Sequence, residues 1–328
     1  MIILTGAAGF IGSATLSALN LAGYKDILAV DSFGSTQKWK NLIGKTFYSY
    51  QHKNEFLENV KQRRLADKID AIIHLGACSS TLETNVDYLM QNNYVYSIEL
   101  AKYCIEADIP FIYASSAATY GNGSHGFSDL SSINNLTPLN PYGFSKHSFD
   151  LWLLNNGLTE KCTGIKFFNV FGPNEYHKAE MRSMVLKGYQ QIVSNKMVKL
   201  FKSNNLHFCD GGQMRDFIYV KDCCKVILWL LNNPKITGLF NLGTGKARSW
   251  NDLSIAIFKA LNLPEKIEYI DMPEELSLQY QNFTEAPMTK LRAAGFNQEF
   301  TNLEDSISDY VSNYLLTLTG KDDSRGYL

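Results

Sequence analysis

Short apolar runs alternate with longer stretches whose apolar residues recur at helical spacing, and this alternation continues to about residue 171. Residues 1–5 read as a buried strand, and the glycine-rich stretch 6–12 leads from it into a helical pattern ending near Leu21. Further strands are predicted over residues 27–30, closing at Asp31, and over 70–75, 111–116 and 162–170. A helical pattern fills 82–107, interrupted at Asn92 and Asn93, and another opens at Asn140 after a polar loop, 121–139. Strands and helices in alternation with short joints predict an α/β fold with a doubly wound parallel (Rossmann) sheet.

Beyond residue 171 the rhythm changes. Helices are predicted near 179–194, 221–232, 250–261 and 303–316, with short strands near 198–201, 216–220, 239–242 and 266–270. This pattern suits a smaller α/β substrate-binding domain. Residues 1–170 and 214–247 then form the dinucleotide-binding Rossmann domain, and 171–213 and 248–328 the smaller one. Residues 203–213 are polar and read as a flexible loop, and the chain from Lys321 is expected to be loose.

Composition narrows the function classes. The 328 residues carry a net charge of −1, which gives no pull toward nucleic acid or a membrane surface. No apolar run reaches the length of a membrane span, and the opening residues lack the basic region of a signal peptide. Six cysteines without a Cys-x-x-Cys pair fit free thiols in a reducing cytoplasm. The histidines show no metal-ligand spacing, so no metal is expected.

The candidate chemistry sits at the strand ends. Gly6, Gly9 and Gly12 lie between a strand and a helix. Gly6 permits the tight turn, Gly9 lets backbone approach a pyrophosphate, and Gly12 lets the helix pack close. The helix N-terminus then offers N–H groups to the anion. Asp31 follows about 20 residues on, where a carboxylate holds an adenosine ribose. Alone it favours NAD, whereas Lys38 and Lys53 either pair with a 2′-phosphate or are solvated surface residues. Gly76, Ala77, Cys78 and Ser79 are small side chains after a strand, suited to a cofactor or to packing on the first helix. Asn92 is either a ligand contact or a helix-surface residue.

Ser115 and Ser116 end a strand where open α/β sheets bind ligands, so a hydroxyl there suits a substrate oxygen. Asn140 is a good helix cap and Pro141 a good first residue. Tyr142 and Lys146 then share a helix face at four-residue spacing. At an effective dielectric of ~20, a cation about 4 Å from a phenolate stabilises it by roughly 4 kcal/mol. That lowers a phenol from its usual value near ~10 by up to roughly 3 units, which makes Tyr142 a candidate acid/base.

Together, Gly6-x-x-Gly9-x-x-Gly12, Asp31, Ser115-Ser116 and Tyr142-x-x-x-Lys146 resemble the extended short-chain dehydrogenase/reductase family. Residues 75–81, 113–121, His177-Lys178, 215–220 and 291–295 narrow the likeness, over almost the whole chain, to its ADP-heptose 6-epimerases. That resemblance implies an NADP-dependent isomerase of lipopolysaccharide core biosynthesis. It would interconvert ADP-D-glycero-D-manno-heptose and ADP-L-glycero-D-manno-heptose by transient oxidation at C6″, and it would assemble as a homopentamer.

By the same resemblance Tyr142 and Lys178 are the two acid/bases, Lys146 tunes Tyr142 and binds the nicotinamide ribose, and Ser116 bonds the reacting oxygen. A lysine at 178 would sit against the dipole at the start of the 179–194 helix, a sign of work other than stability. Cofactor positions carried over are Gly6, Gly9, Phe10, Ile11, Gly12, Asp31, Ser32, Lys38, Lys53, Leu75 to Ser79 (Leu75, Gly76, Ala77, Cys78, Ser79), Asn92, Lys146, Val170 and Lys178. Substrate positions are Ser79, Ser116, Asn169, Glu180, Lys187, Phe201, Lys202, Ser203, Asn204, Arg215 and Tyr280, with Arg215 fitted to a diphosphate. Glu180 and Lys187 depart from the family's usual residues. A nucleotide-sugar dehydratase would carry an acidic pair where this chain has Ala117 and Ala118. The remaining rivals are a UDP-hexose 4-epimerase and a non-catalytic NADP-sensing module.

Overall fold

The computed structural model describes residues 1–65, 68–274, 280–318 and 328. The predicted loose tail from Lys321 therefore lies outside the described residues, save for Leu328. Seven parallel strands form the main sheet, in the order β10-β6-β5-β4-β1-β2-β3. They are β1 (Ile2–Thr5), β2 (Ile27–Asp31), β3 (Ser49–His52), β4 (Ala71–His74), β5 (Phe111–Ser116), β6 (Thr163–Phe167) and β10 (Gly238–Leu242).

Alternate side chains of β1 feed opposite faces, as a pleated strand requires. Ile2 and Leu4 join Leu16 and Leu19 of helix α1 (Phe10–Leu21) and Val226 and Ile227 of α7 (Val220–Asn232). Ile3 joins Phe56 of α2 (Lys53–Lys61), Leu100 of α4 (Tyr96–Glu106) and Phe149 of α5 (Pro141–Asn155) on the other face. The strand order reverses between β1 and β4, and such a switch point opens a crevice at the strands' carboxyl ends.

Two smaller sheets complete the chain. One has the order β11-β9-β7, from β7 (Asn169–Phe171), β9 (Met214–Tyr219) and β11 (Ala247–Ser249). The other pairs β8 (Val198–Phe201) with β12 (Ile267–Ile270). Helices α6 (Met184–Asn195) and α8 (Trp250–Ala260) and the helix Leu303–Tyr310 pack a core of Leu186, Tyr189, Leu253, Ile257, Ile307 and Tyr310, which Phe10 and Ala14 of α1 join. No helix among the described residues is long and apolar enough to cross a membrane.

Four sequence expectations change. The strand expected over 162–170 is two strands: β6 ends at Phe167, Phe168 N gives the last bond to the main sheet at Leu242 O of β10 (3.0 Å), and β7 pairs with β9 instead. β3 and α2 carry no apolar run and left no pattern to read. The helix expected from 82 starts at Val86, after an Asn85 cap, and passes through a π-helical stretch, Met90–Val95, before α4. The helix expected from 179 starts at Met184, capped by Ser183, so Lys178 precedes it on a separate 3-10 segment, Tyr176–Met181. The dipole reading of Lys178 therefore does not apply.

Candidate active site

A cleft of about 1130 Å³ opens at the carboxyl ends of β1 and β4 and runs out under α6 and α8. Its inner end is the glycine turn. Gly6 has φ +68°, and a Cβ there would lie 2.6 Å from Gly76 N. A Cβ on Gly12 would lie 1.9 Å from Gly6 O, so Gly12 is required by the turn itself more than by helix packing on the sheet. The α1 N-cap is Gly9, without a side-chain cap, which leaves the first-turn N–H groups for an outside acceptor.

Asp31, buried at the end of β2, accepts hydrogen bonds from Ala8 N (2.8 Å), Ser32 N (2.7 Å) and Lys38 Nζ (2.6 Å). Lys53 donates to Asn92 Oδ1. Burial, and then the neighbouring Lys38 charge, hold the Lys53 ammonium below its ordinary pKa. Two cations thus converge beside one carboxylate. Asn93 clamps the strand-end loop: it accepts from Cys78 N (2.8 Å) and donates to Cys78 O (2.9 Å) and Ser145 Oγ (3.0 Å). It sits in the π-helical stretch, whose widened turn aims it inward.

Helix α5 delivers the next group. Asn140 Oδ1 caps it by accepting from Gly143 N at 2.8 Å, with Pro141 in the first turn. Tyr142 and Lys146 both line the cleft beside Ser116. The expected depression of the phenol pKa is not found. Burial raises the Tyr142 phenol above its ordinary value, and a hydrogen bond from Ser116 opposes that rise. Burial also pulls Lys146 down to about 8, against the pull of Asp150. Lys146 makes no hydrogen bond among the described residues, so its ammonium is left to an incoming ligand.

The Lys178 segment forms another part of the lining. Lys178 Nζ lies 3.5 Å from Ser79 Oγ and 5.7 Å from the centre of the Phe10 ring. Burial lowers its pKa, opposed by Glu175. The next residue, Ala179, has φ +46° and ψ −121°, a strained conformation for a residue with a Cβ. Two buried side chains anchor this turn, and neither had a sequence signal. Glu175 accepts from Gly172 N (3.3 Å), Ser183 Oγ (2.7 Å), Tyr310 OH (3.2 Å) and Ser183 N. Asn41 Nδ2 donates to Ala8 O (2.9 Å) and Asn174 O (3.0 Å), which seats the turn on the glycine loop. Burial and the nearby lysines bring His177 down to about 4, so it is neutral near pH 7.

At the outer end, Arg215 lies between Trp250 and Tyr280, with guanidinium-to-ring distances of 5.6 and 5.1 Å. Trp250 Nε1 donates to Tyr280 OH at 2.8 Å. The two rings hold a guanidinium that has no carboxylate partner among the described residues, a combination suited to phosphate. Trp250 carried no motif and was not anticipated.

Most anticipated residues meet in this cleft: Gly6, Gly9, Phe10, Ile11, Gly12, Asp31, Ser32, Lys38, Lys53, Leu75 to Ser79, Asn92, Ser116, Tyr142, Lys146, Asn169, Val170, Lys178, Glu180, Arg215 and Tyr280. Five do not line it. Lys187 reaches Glu180, with 2.6 Å to its carbonyl oxygen. Lys202 pairs outward with Asp271 at 2.8 Å. Ser203 N donates to Asp210 Oδ1 at 2.8 Å, folding the loop on itself and carrying Phe201 and Asn204 away with it.

The sequence model of the NAD dependent epimerase/dehydratase family matches residues 2–243. ADP-L-glycero-D-manno-heptose-6-epimerase of Nitratidesulfovibrio vulgaris strain DP4 is 52% identical over 316 residues, 96% of this chain and 98% of that protein. The enzyme of the same name from Fusobacterium nucleatum is 46% identical, with 99% of each chain covered. The crystal structure of the Helicobacter pylori ADP-L-glycero-D-manno-heptose-6-epimerase superposes with a TM-score of 0.80 at 29% identity, covering 94% of both chains. A Methanobrevibacter ruminantium UDP-N-acetylglucosamine 4-epimerase follows at 0.77 and 26%, covering 94% of this chain and 96% of its own. A glycine cradle and a Tyr–Lys helix are thus found here on a chain whose sequence and fold agree over almost their full length with known epimerases, and the chain belongs to the NAD dependent epimerase/dehydratase family.

Proposed function

We propose that this protein interconverts the two C6″ epimers of ADP-glycero-manno-heptose with NADP as its resident cofactor. The observation that carries the reading is the presence of two half-buried proton carriers, Tyr142 and Lys178, on separate elements of one cleft. Oxidation to a ketone takes a hydride from C6″ and a proton from its hydroxyl; when the ketone turns its other face to the same nicotinamide its oxygen points elsewhere, and one fixed side chain cannot reach the oxygen in both positions.

A nicotinamide dinucleotide, when bound, would supply the hydride chemistry. The chain's own residues fit that group. The uncapped α1 N-terminus and the glycine turn suit its pyrophosphate, and the unpartnered Lys146 suits the nicotinamide ribose. Lys38 and Lys53 beside Asp31 favour NADP over NAD, since two converging cations suit a 2′-phosphate. Ser116 orients the reacting oxygen and, by its hydrogen bond, favours the charged form of Tyr142. The Lys146 ammonium on the same helix face, where it approaches the phenol, opposes the rise that burial imposes. Lys178 moves a proton from the other side, with burial keeping its neutral form accessible. Arg215, braced by Trp250 and Tyr280, holds the diphosphate.

The test is to denature the purified protein, identify the released nucleotide by mass, and assay the native protein on each ADP-heptose epimer without added reductant. Released NADP and interconversion of both epimers are expected. Turnover of UDP-hexose and none of ADP-heptose would transfer the assignment to a UDP-hexose 4-epimerase.

A further inference from the structure

Behind the cleft lies an ion pair that the two-base scheme does not use. Lys166 of β6 places Nζ 2.8 Å from Asp150 Oδ2, and neither side chain has any solvent exposure. Burying two charges costs several kcal/mol of hydration per ion, and apolar replacements of such pairs are often stabilising. Stability is therefore a weak reason for the pair. Its contacts supply a stronger one.

Asp150 accepts from Tyr113 OH (3.1 Å) and Ser115 Oγ (2.7 Å), both on β5. Lys166 Nζ donates to Thr119 Oγ1 (2.5 Å), and Thr119 Oγ1 donates to the carbonyl oxygen of Ser116 (2.8 Å). The pair thus bolts the end of β5, which carries Ser116, onto α5, which carries Tyr142 and Lys146. Asp150 also follows Lys146 by four residues, so it lies on the helix face that faces the cleft.

We propose that Asp150 and Lys166 are positioning residues, which fix Ser116 through Thr119 and hold the negative end of their ion pair one helical turn from Lys146. The inference rests on the reading proposed above, in which Lys146 tunes the acid/base Tyr142. Other groups do not supply that charge. His74, facing Lys146 from β4, is held neutral by burial, with a pKa near 3. His147, facing the pair from α5, is pulled below its ordinary value by burial and by Lys166. Burial keeps Tyr113 and Tyr120 protonated, and Cys78 faces Tyr142. Asp129, which feels Lys166 from the 121–139 loop, is raised by its own burial and bonds Asn241 N at 2.7 Å.

The sign follows directly. Burial moves Lys146 toward its neutral form, and Asp150 opposes that, so removing Asp150 moves the loss of charge to lower pH. Asp150→Asn alone strands Lys166 as an unpaired buried cation, so the decisive variant is Asp150→Asn/Lys166→Met, with Lys166→Arg as the conservative control. Lys146 is titrated by NMR in protein labelled with [13Cε]lysine, its signal assigned with Lys146→Met, and kcat and KM for ADP-heptose are measured across the same pH range.

The native midpoint is expected near about 8. The double variant, shown folded by its thermal transition, is expected to titrate about one unit lower. It should lose about tenfold in kcat at alkaline pH while KM changes by less than about twofold, the split expected of a group that acts in the transition state. Lys166→Arg should keep the native midpoint. A folded double variant with an unmoved Lys146 midpoint would overturn the inference and leave the pair structural. Absence of ADP-heptose turnover in the native protein would defeat the substrate assignment instead, while the NMR titration, which needs no substrate, still decides this point.

Discussion

On α5, Tyr142, Lys146 and Asp150 follow one another at four-residue intervals, so regular helix geometry sets their relation. Lys178 instead stands on a six-residue 3-10 segment with a strained alanine beside it, and nothing in local geometry fixes its direction. Long-range contacts do that work: Glu175 reaches Tyr310, and Asn41 joins the turn to the glycine loop. Each lysine is nonetheless treated alike, with its pKa lowered by burial and held up by one carboxylate, Asp150 or Glu175. One acid/base is thus placed by secondary structure and the other by tertiary structure, and disturbance should affect them differently.

The largest effect tests whether both parts of the cleft do chemistry. Tyr142→Phe and Lys178→Met should each lower epimerisation by about 10²–10⁴-fold, the usual contribution of a positioned acid/base. Both should still release bound nicotinamide nucleotide on denaturation, since neither side chain holds the pyrophosphate. Near-normal turnover by Lys178→Met would reduce the comparison to a single working residue and end the two-base scheme.

The same contrast explains what could be read from the sequence. The seven-stranded sheet was legible where strands were apolar runs, and Tyr142 and Lys146 were legible because spacing on a helix is spacing in space. β3 (Ser-Tyr-Gln-His) was not, since an edge strand needs no apolar run. Asn41 and Glu175 were invisible for a different reason: each acts through partners distant in the chain, as with Asn174 for Asn41 and Tyr310 for Glu175. Lys178 itself came into view through family resemblance and not through any local pattern. Phe201, Lys202, Ser203 and Asn204 show the converse, a stretch read as substrate contact whose loop closes on Asp210 and turns away.

A middle-sized effect separates anchoring from chemistry. Glu175→Gln keeps the shape of the anchor but replaces one accepting oxygen by a donor, facing Ser183 and Tyr310 groups that need acceptors. Leaving such a buried group unpaired costs about 1–3 kcal/mol, which should appear as a lower thermal midpoint. Because Lys178 depends on this anchor and Tyr142 does not, turnover should fall about tenfold while cofactor retention stays native. An equal loss of cofactor would mean that Glu175 supports the whole cleft and not the Lys178 turn alone.

The smallest effect concerns Ala179. Its φ of +46° with ψ −121° suits glycine, so Ala179→Gly should relieve strain. The hydrogen bond that Arg182 Nε donates to the Ala179 carbonyl at 2.6 Å and the Glu175 anchor both use groups that glycine retains. Lys178 should therefore keep its place, and turnover should stay within about twofold while stability rises by about 1 kcal/mol, read from thermal unfolding. A more stable protein with much lower turnover would show that the strain itself aims Lys178. The anchors would then be necessary without being sufficient, and this part of the cleft would depend on a single backbone conformation.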